Sequence, residues 1–83
     1  MSWPPHIWDQ IKNITADELI AALERDGWHL RKGKGSRRVF RKGSRVVAIH
    51  YHRRKTFSPK MLQTLLKDIG WNEADLRRLG LIR

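Results

Sequence analysis

Cysteine is missing from the chain, which excludes a disulfide scaffold and any zinc site built on thiolates and leads us to expect a reducing compartment, the cytoplasm. No apolar run approaches the roughly 18–20 residues of a membrane span, and the opening MSWPPHIWDQIKNI lacks the basic-then-apolar pattern of a secretory leader. A soluble chain away from membranes is expected. Repeats, low-complexity tracts and long linkers are also missing. At 83 residues the chain can bury one small core, so a single domain over 1–83 is expected. We divide it into an N-terminal extension 1–14, a core 15–70 and a short helical C-terminal extension 71–83. A deep enclosed site is not expected at this size, and any chemistry must sit on an open face or shallow groove.

The scarcest property is negative charge where it would matter most. Between Trp28 and Lys67 there is no Asp or Glu but there are thirteen Lys or Arg, while the flanks carry all eight acids against five bases. The middle is thus +13 and the flanks −3, within a net charge of +10. Segregation of this kind predicts a polyanionic partner such as nucleic acid, an acidic protein or an anionic surface.

Local patterns predict the elements. Ile7, Trp8, Ile11 and Ile14 recur at helical spacing behind Pro4-Pro5. Thr15-Ala16-Asp17-Glu18 is a capping-box pattern, followed by the stripe Ala16, Leu19, Ile20 and Leu23 and a stop at Gly27. Three strands are predicted over 28–32, 37–42 and 45–52, joined by glycine-containing turns that suit antiparallel hairpins. In the third, Val47, Ile49 and Tyr51 share the core face, while Val46, Ala48, His50 and His52 share the other. Trp28 and Leu30 are expected in the core; either Val39 or Phe40 could point inward from the second strand. Ser58-Pro59 opens a helix whose Leu62, Leu65, Leu66 and Ile69 form one stripe before Gly70. A further short helix is predicted from Asn72. The fold class is α+β, α-β-β-β-α, a three-stranded antiparallel sheet with helices on one face and the other face free.

His50 and His52 then stand two apart, before Arg53, Arg54 and Lys55. As zinc ligands they lack a third partner, and the adjacent cations repel a divalent ion; no metal or other cofactor is expected. As surface residues they merely decorate a basic face. As catalysts they suit phosphodiester chemistry, since imidazole can take a proton from a ribose 2′-OH or give one to the departing 5′-oxygen near neutral pH, with cations stabilising the phosphorane. The 33–38 turn, GKGSRR, has the wrong spacing for a phosphate-binding loop of the nucleotide-hydrolase type, but its amides and charges could meet phosphate. Of the four tryptophans, Trp28 and Trp71 are expected in the core, whereas Trp3 and Trp8 could pack or meet a partner.

The series Asp17-Glu18-Leu19-Ile20, Leu23 through Gly27-Trp28, Gly35-Ser36, His50-Tyr51-His52 and Leu62 through Gly70 resembles the HicA family of small toxin ribonucleases from bacterial toxin–antitoxin systems, over about residues 14–71. The resemblance implies a double-stranded-RNA-binding-domain-like fold, messenger RNA as substrate and a HicB-type antitoxin as partner. It also implies a catalytic histidine directly after Gly-Ser. That position holds Arg37, whose guanidinium stays protonated and cannot act as a base. The later family pattern, proline, any residue, histidine, is met by His52, with His50 in place of the proline. The reading is a metal-independent endoribonuclease with His52 and His50 in proton transfer and Arg37 as a phosphate clamp. Lys32, Lys34, Ser36, Arg38, Arg41, Arg53, Arg54 and Lys55 would hold RNA. Its alternative is a module that binds RNA or DNA without cutting it.

Overall fold

The computed structural model describes residues 3–52 and 55–83. Among these the element order is α1 (Pro5–Ile11), α2 (Ala16–Arg25), β1 (His29–Lys34), β2 (Arg37–Lys42), β3 (Arg45–His50), α3 (Pro59–Ile69) and α4 (Glu73–Arg78). The fold is α+β, of the double-stranded-RNA-binding-domain-like type, with a β1-β2-β3 antiparallel sheet.

Each helix begins where the sequence supplies a cap. Thr15 Oγ1 accepts from the Glu18 amide and the Glu18 carboxylate accepts from the Thr15 amide, completing the capping box of α2. Ser58 caps α3 with Pro59 in the first turn, and Gly70 ends that helix in a left-handed conformation at φ 84°. Asn72 and Asp75 form a second reciprocal capping box at α4.

The strands are joined by two-residue turns, Gly35-Ser36 and Gly43-Ser44, with both glycines at positive φ. This corrects the predicted 28–32 strand: β1 runs on to Lys34, because the hairpin closes on Gly35 and the wider glycine-containing turn is not needed. The predicted 45–52 strand also shortens, ending at His50, although the Tyr51 amide still donates to the Ser36 carbonyl. An irregularity between Leu30 and Lys32 shifts the register of β1 against β2.

Register settles the parity that β2 left open. Phe40 lies opposite Val47 and Arg38 opposite Ile49; since directly paired residues share a face, Phe40 is the inward residue and Val39 the outward one. Phe40, Val47 and Ile49 are buried with Leu19, Leu23, Leu62, Leu66 and Trp28 in one core cluster, which α1 extends through Ile7 and Ile11, and the C-terminal segment through Leu76 and Ile82. Trp71 is buried, and Trp3 and Trp8 pack partly buried against this cluster. Leu30 does not join it. It faces the helix side opposite Phe40 but is 54% exposed, because β1 is the outer strand and α2 reaches only its rim, where Leu30 lines a groove with Ile20 and Ala21.

Candidate nucleic-acid interface

The open face of the sheet is ordered by its register. Arg37 is the Cα partner of both Lys34 and His50, Val39 of Lys32 and Ala48, and Arg41 of His29 and Val46. At the hairpin end of this face Lys34, Arg37 and His50 therefore form one cross-strand row, with side chains on neighbouring strands about 5 Å apart at Cβ. All three are exposed. The residue that departs from the family pattern, Arg37, thus sits directly beside one of the two histidines.

Beyond His50 the chain leaves the sheet and passes the start of α2. Thr56 forms an isolated bridge with Thr15, the Ala16 amide donates to the Lys55 carbonyl, and the Lys55 amide donates to the His52 carbonyl. His50, His52, Lys55, Thr56 and Ser58 line a shared cavity of about 210 Å³ between the end of β3 and the start of α3. His50 belongs to both the cationic row and this cavity. His50 thus brings a proton donor or acceptor beside the Arg37 guanidinium on one side and beside His52 and Lys55 on the other.

Tyr51, between the histidines, points the other way. Its hydroxyl donates to Asp17 Oδ1 at 2.6 Å, and the Arg38 guanidinium lies 5.4 Å from its ring centroid. This anchor ties the end of β3 to the first turn of α2 and sets the outward aim of the residues on either side. Arg38 is also bound to the Gly35 carbonyl at 2.6 Å. It lies on the helix side of β2, away from the row. Ser36 lies in the turn before β2, its carbonyl accepting from the Tyr51 amide. Arg41 is on the open face at the far end from His50, its Nε donating to the Gly43 carbonyl. Arg53 and Arg54 lie outside the described residues, as does the Lys32 side chain. Among the described residues no group of three His, Cys, Asp or Glu gathers as a metal donor set.

Two further cations are drawn off by the scaffold. Arg45 reaches the Ile69 carbonyl at the end of α3, and Lys42 Nζ pairs with Asp26 at 3.2 Å. Asp26 is the centre of a network that the sequence did not reveal. Its carboxylate, 7% exposed, accepts from the indole N–H groups of Trp28 and Trp71 and from Arg78 at 2.7 Å. Burial opposes its ionisation, yet the bonds from Trp71, Arg78, Lys42 and Trp28 outweigh that and hold its pKa at about 2. The only sequence signal for this network was the Asp-Gly-Trp junction itself.

Helices on one face of a three-stranded sheet, and a cation row on the other, define a small basic α+β domain whose fold is like that of double-stranded-RNA-binding domains. A family model described as the HicA toxin of bacterial toxin–antitoxin systems matches residues 16–71, and the chain belongs to that family. Its role is that of the toxin of a toxin–antitoxin system, and the family implies a HicB-type antitoxin as its partner. Neither the curated proteins nor the solved structures give a significant match. Among the described residues no helix is long and apolar enough to cross a membrane.

Proposed function

We propose that this toxin is a metal-independent endoribonuclease that cuts messenger RNA in the cytoplasm at the junction of the cationic row and the histidine cavity. The observation that carries the reading is the register that pairs Arg37 with His50, whose side chain also lines the cavity with His52 and Lys55. In this reaction the ribose 2′-oxygen attacks phosphorus as its proton passes to one imidazole. The bond to the 5′-oxygen breaks, and the second imidazole protonates the leaving oxygen. The products are a 2′,3′-cyclic phosphate and a 5′-hydroxyl. Arg37 and Lys55 stabilise the negative charge that builds on the phosphorane. Arg37 occupies the family's catalytic position as an electrostatic clamp, while proton transfer has moved to His52, with His50 as its partner.

The test is a time course of messenger RNA with the purified protein in EDTA. Wild type is expected to yield cyclic-phosphate ends. His52→Ala should slow cleavage by roughly 10²–10⁴-fold, the usual worth of a general acid or base, and Arg37→Ala by about 10²-fold, the worth of one charge-stabilising group. Equal cleavage by wild type and His52→Ala would remove His52 from the chemistry. The substitution of Arg37 for the family histidine favours one rival, a module that holds RNA or DNA uncut. That rival is the outcome if wild type retains RNA in a salt-sensitive manner without making products.

A further inference from the structure

We propose that the cavity between β3 and α3 receives one unpaired nucleobase, so that the preferred ligand is single-stranded RNA; the inference rests on the ribonuclease reading for its placement beside the scissile phosphate. The cavity is not built for phosphate alone. Besides His50, His52 and Lys55 it is lined by Ala16, Phe57 and Met61, and Met61 is 45% exposed, one of the few large apolar side chains left uncovered. Its volume of about 210 Å³ falls below the roughly 300–1,000 Å³ of pockets for drug-sized ligands and suits a single planar ring system. Phe57 packs on the core from beneath, which fixes that wall. Thr56 and Ser58 also line it, and their hydroxyls offer hydrogen bonds to base edges, the Ser58 oxygen already accepting from the Met61 amide.

Charge complementarity commits the occupant. A base seated on Phe57 and Met61 brings its own phosphates to Lys55, His50 and, across the strand, Arg37 and Lys34. A free apolar ligand would leave those cations unanswered. A base within a duplex is held in its stack and cannot enter without being extruded, at a cost of unpairing and unstacking. The cavity therefore selects against duplex RNA despite the domain's double-stranded-RNA-binding topology.

The experiment uses the whole protein and 2′-O-methyl RNA of about ten nucleotides, a length within the span of small single-strand-binding surfaces. The blocked 2′-oxygen makes binding independent of cleavage. Wild type is expected to bind the single strand about tenfold more tightly than the duplex of the same sequence, in keeping with one stacked base. Met61→Asn, which removes the exposed apolar contact without adding charge or an aromatic face, should weaken that preference while leaving duplex affinity within about twofold. In wild type the Met61 methyl NMR signal, one of two methionine methyls in the chain, should shift with the single strand and not with the duplex, a readout that needs no variant. Equal affinity for the two forms, or an unmoved Met61 methyl, overturns the base pocket even if RNA cleavage has been observed. Failure to retain either form overturns this inference and the ribonuclease reading together.

Discussion

Asp26 carries the strongest single-residue consequence. A carboxylate 7% exposed would be costly if unpaired, but four donors make it a joint between the end of α2, the end of β2, Trp71 after α3, and α4. Its pKa is lowered from 3.8 to about 2 on folding, equivalent to roughly 2 kcal/mol of stability by linkage. The sign follows from the direction. The folded-state pKa is depressed, so the contribution is fully present above the unfolded value near 4 and is lost as pH falls through about 2. Asp26→Asn is therefore expected to lower stability by about 2 kcal/mol at pH 7, measured by urea unfolding, and the gap to wild type should close near pH 2. A gap that persists unchanged in acid would mean that the amide disrupts packing and that charge contributes little. None of this network was legible in the sequence, because Asp26 meets partners 45 and 52 residues further along the chain. The only local sign was its neighbour Trp28.

Elements were more legible than their edges. The period-2 pattern of β3 assigned Val47 and Ile49 to the core and Val46, Ala48 and His50 to the open face, as the burial confirms, because alternation is a local property of the strand. It could not show where the strand stops. His50 is its last residue, and His52 lines the cavity from beyond the strand, where its carbonyl accepts from the Lys55 amide. Leu30, expected in the core, is exposed for a related reason, since its burial depends on how far α2 extends over an outer strand. Alternation puts the adjacent Arg37 and Arg38 on opposite faces, and the register to His50 and Ile49 decides which of them lies on the open one.

At the end of α3, Gly70 tests the contribution of backbone alone. Its φ of 84° is left-handed, and an added Cβ would run into the Arg45 guanidinium. That side chain can swing away, but the backbone strain remains. Gly70→Ala is expected to cost about 1–2 kcal/mol, and Gly70→Asn less, because asparagine visits the left-handed region more readily. Thermal or urea unfolding of both, alone and combined with Arg45→Ala, checks the point. Full recovery of Gly70→Ala by Arg45→Ala would show that the side-chain clash, not the backbone, is responsible.

For the molecule as a whole, the sequence gives thirteen cations without an acid between Trp28 and Lys67, but not which of them are available to a partner. The fold engages some of them. Lys42 serves Asp26, Arg45 serves the end of α3, and Arg38 serves the β1–β2 turn and Tyr51. Lys34 and Arg37 are left on the open face beside His50, joined at the far end by Arg41. Net charge alone would make all of these cations equivalent in binding RNA, whereas the fold makes them unequal. The salt dependence of affinity separates the two views, because each phosphate contact releases counterions and adds about 0.7 to the slope of log affinity against log salt for a single strand. Lys34→Gln and Arg37→Gln are each expected to reduce that slope by about 0.7. Lys42→Gln and Arg45→Gln remove the same formal charge and should leave it nearly unchanged. If all four variants reduce the slope equally, RNA is responding to total charge and the cross-strand row is not its docking site.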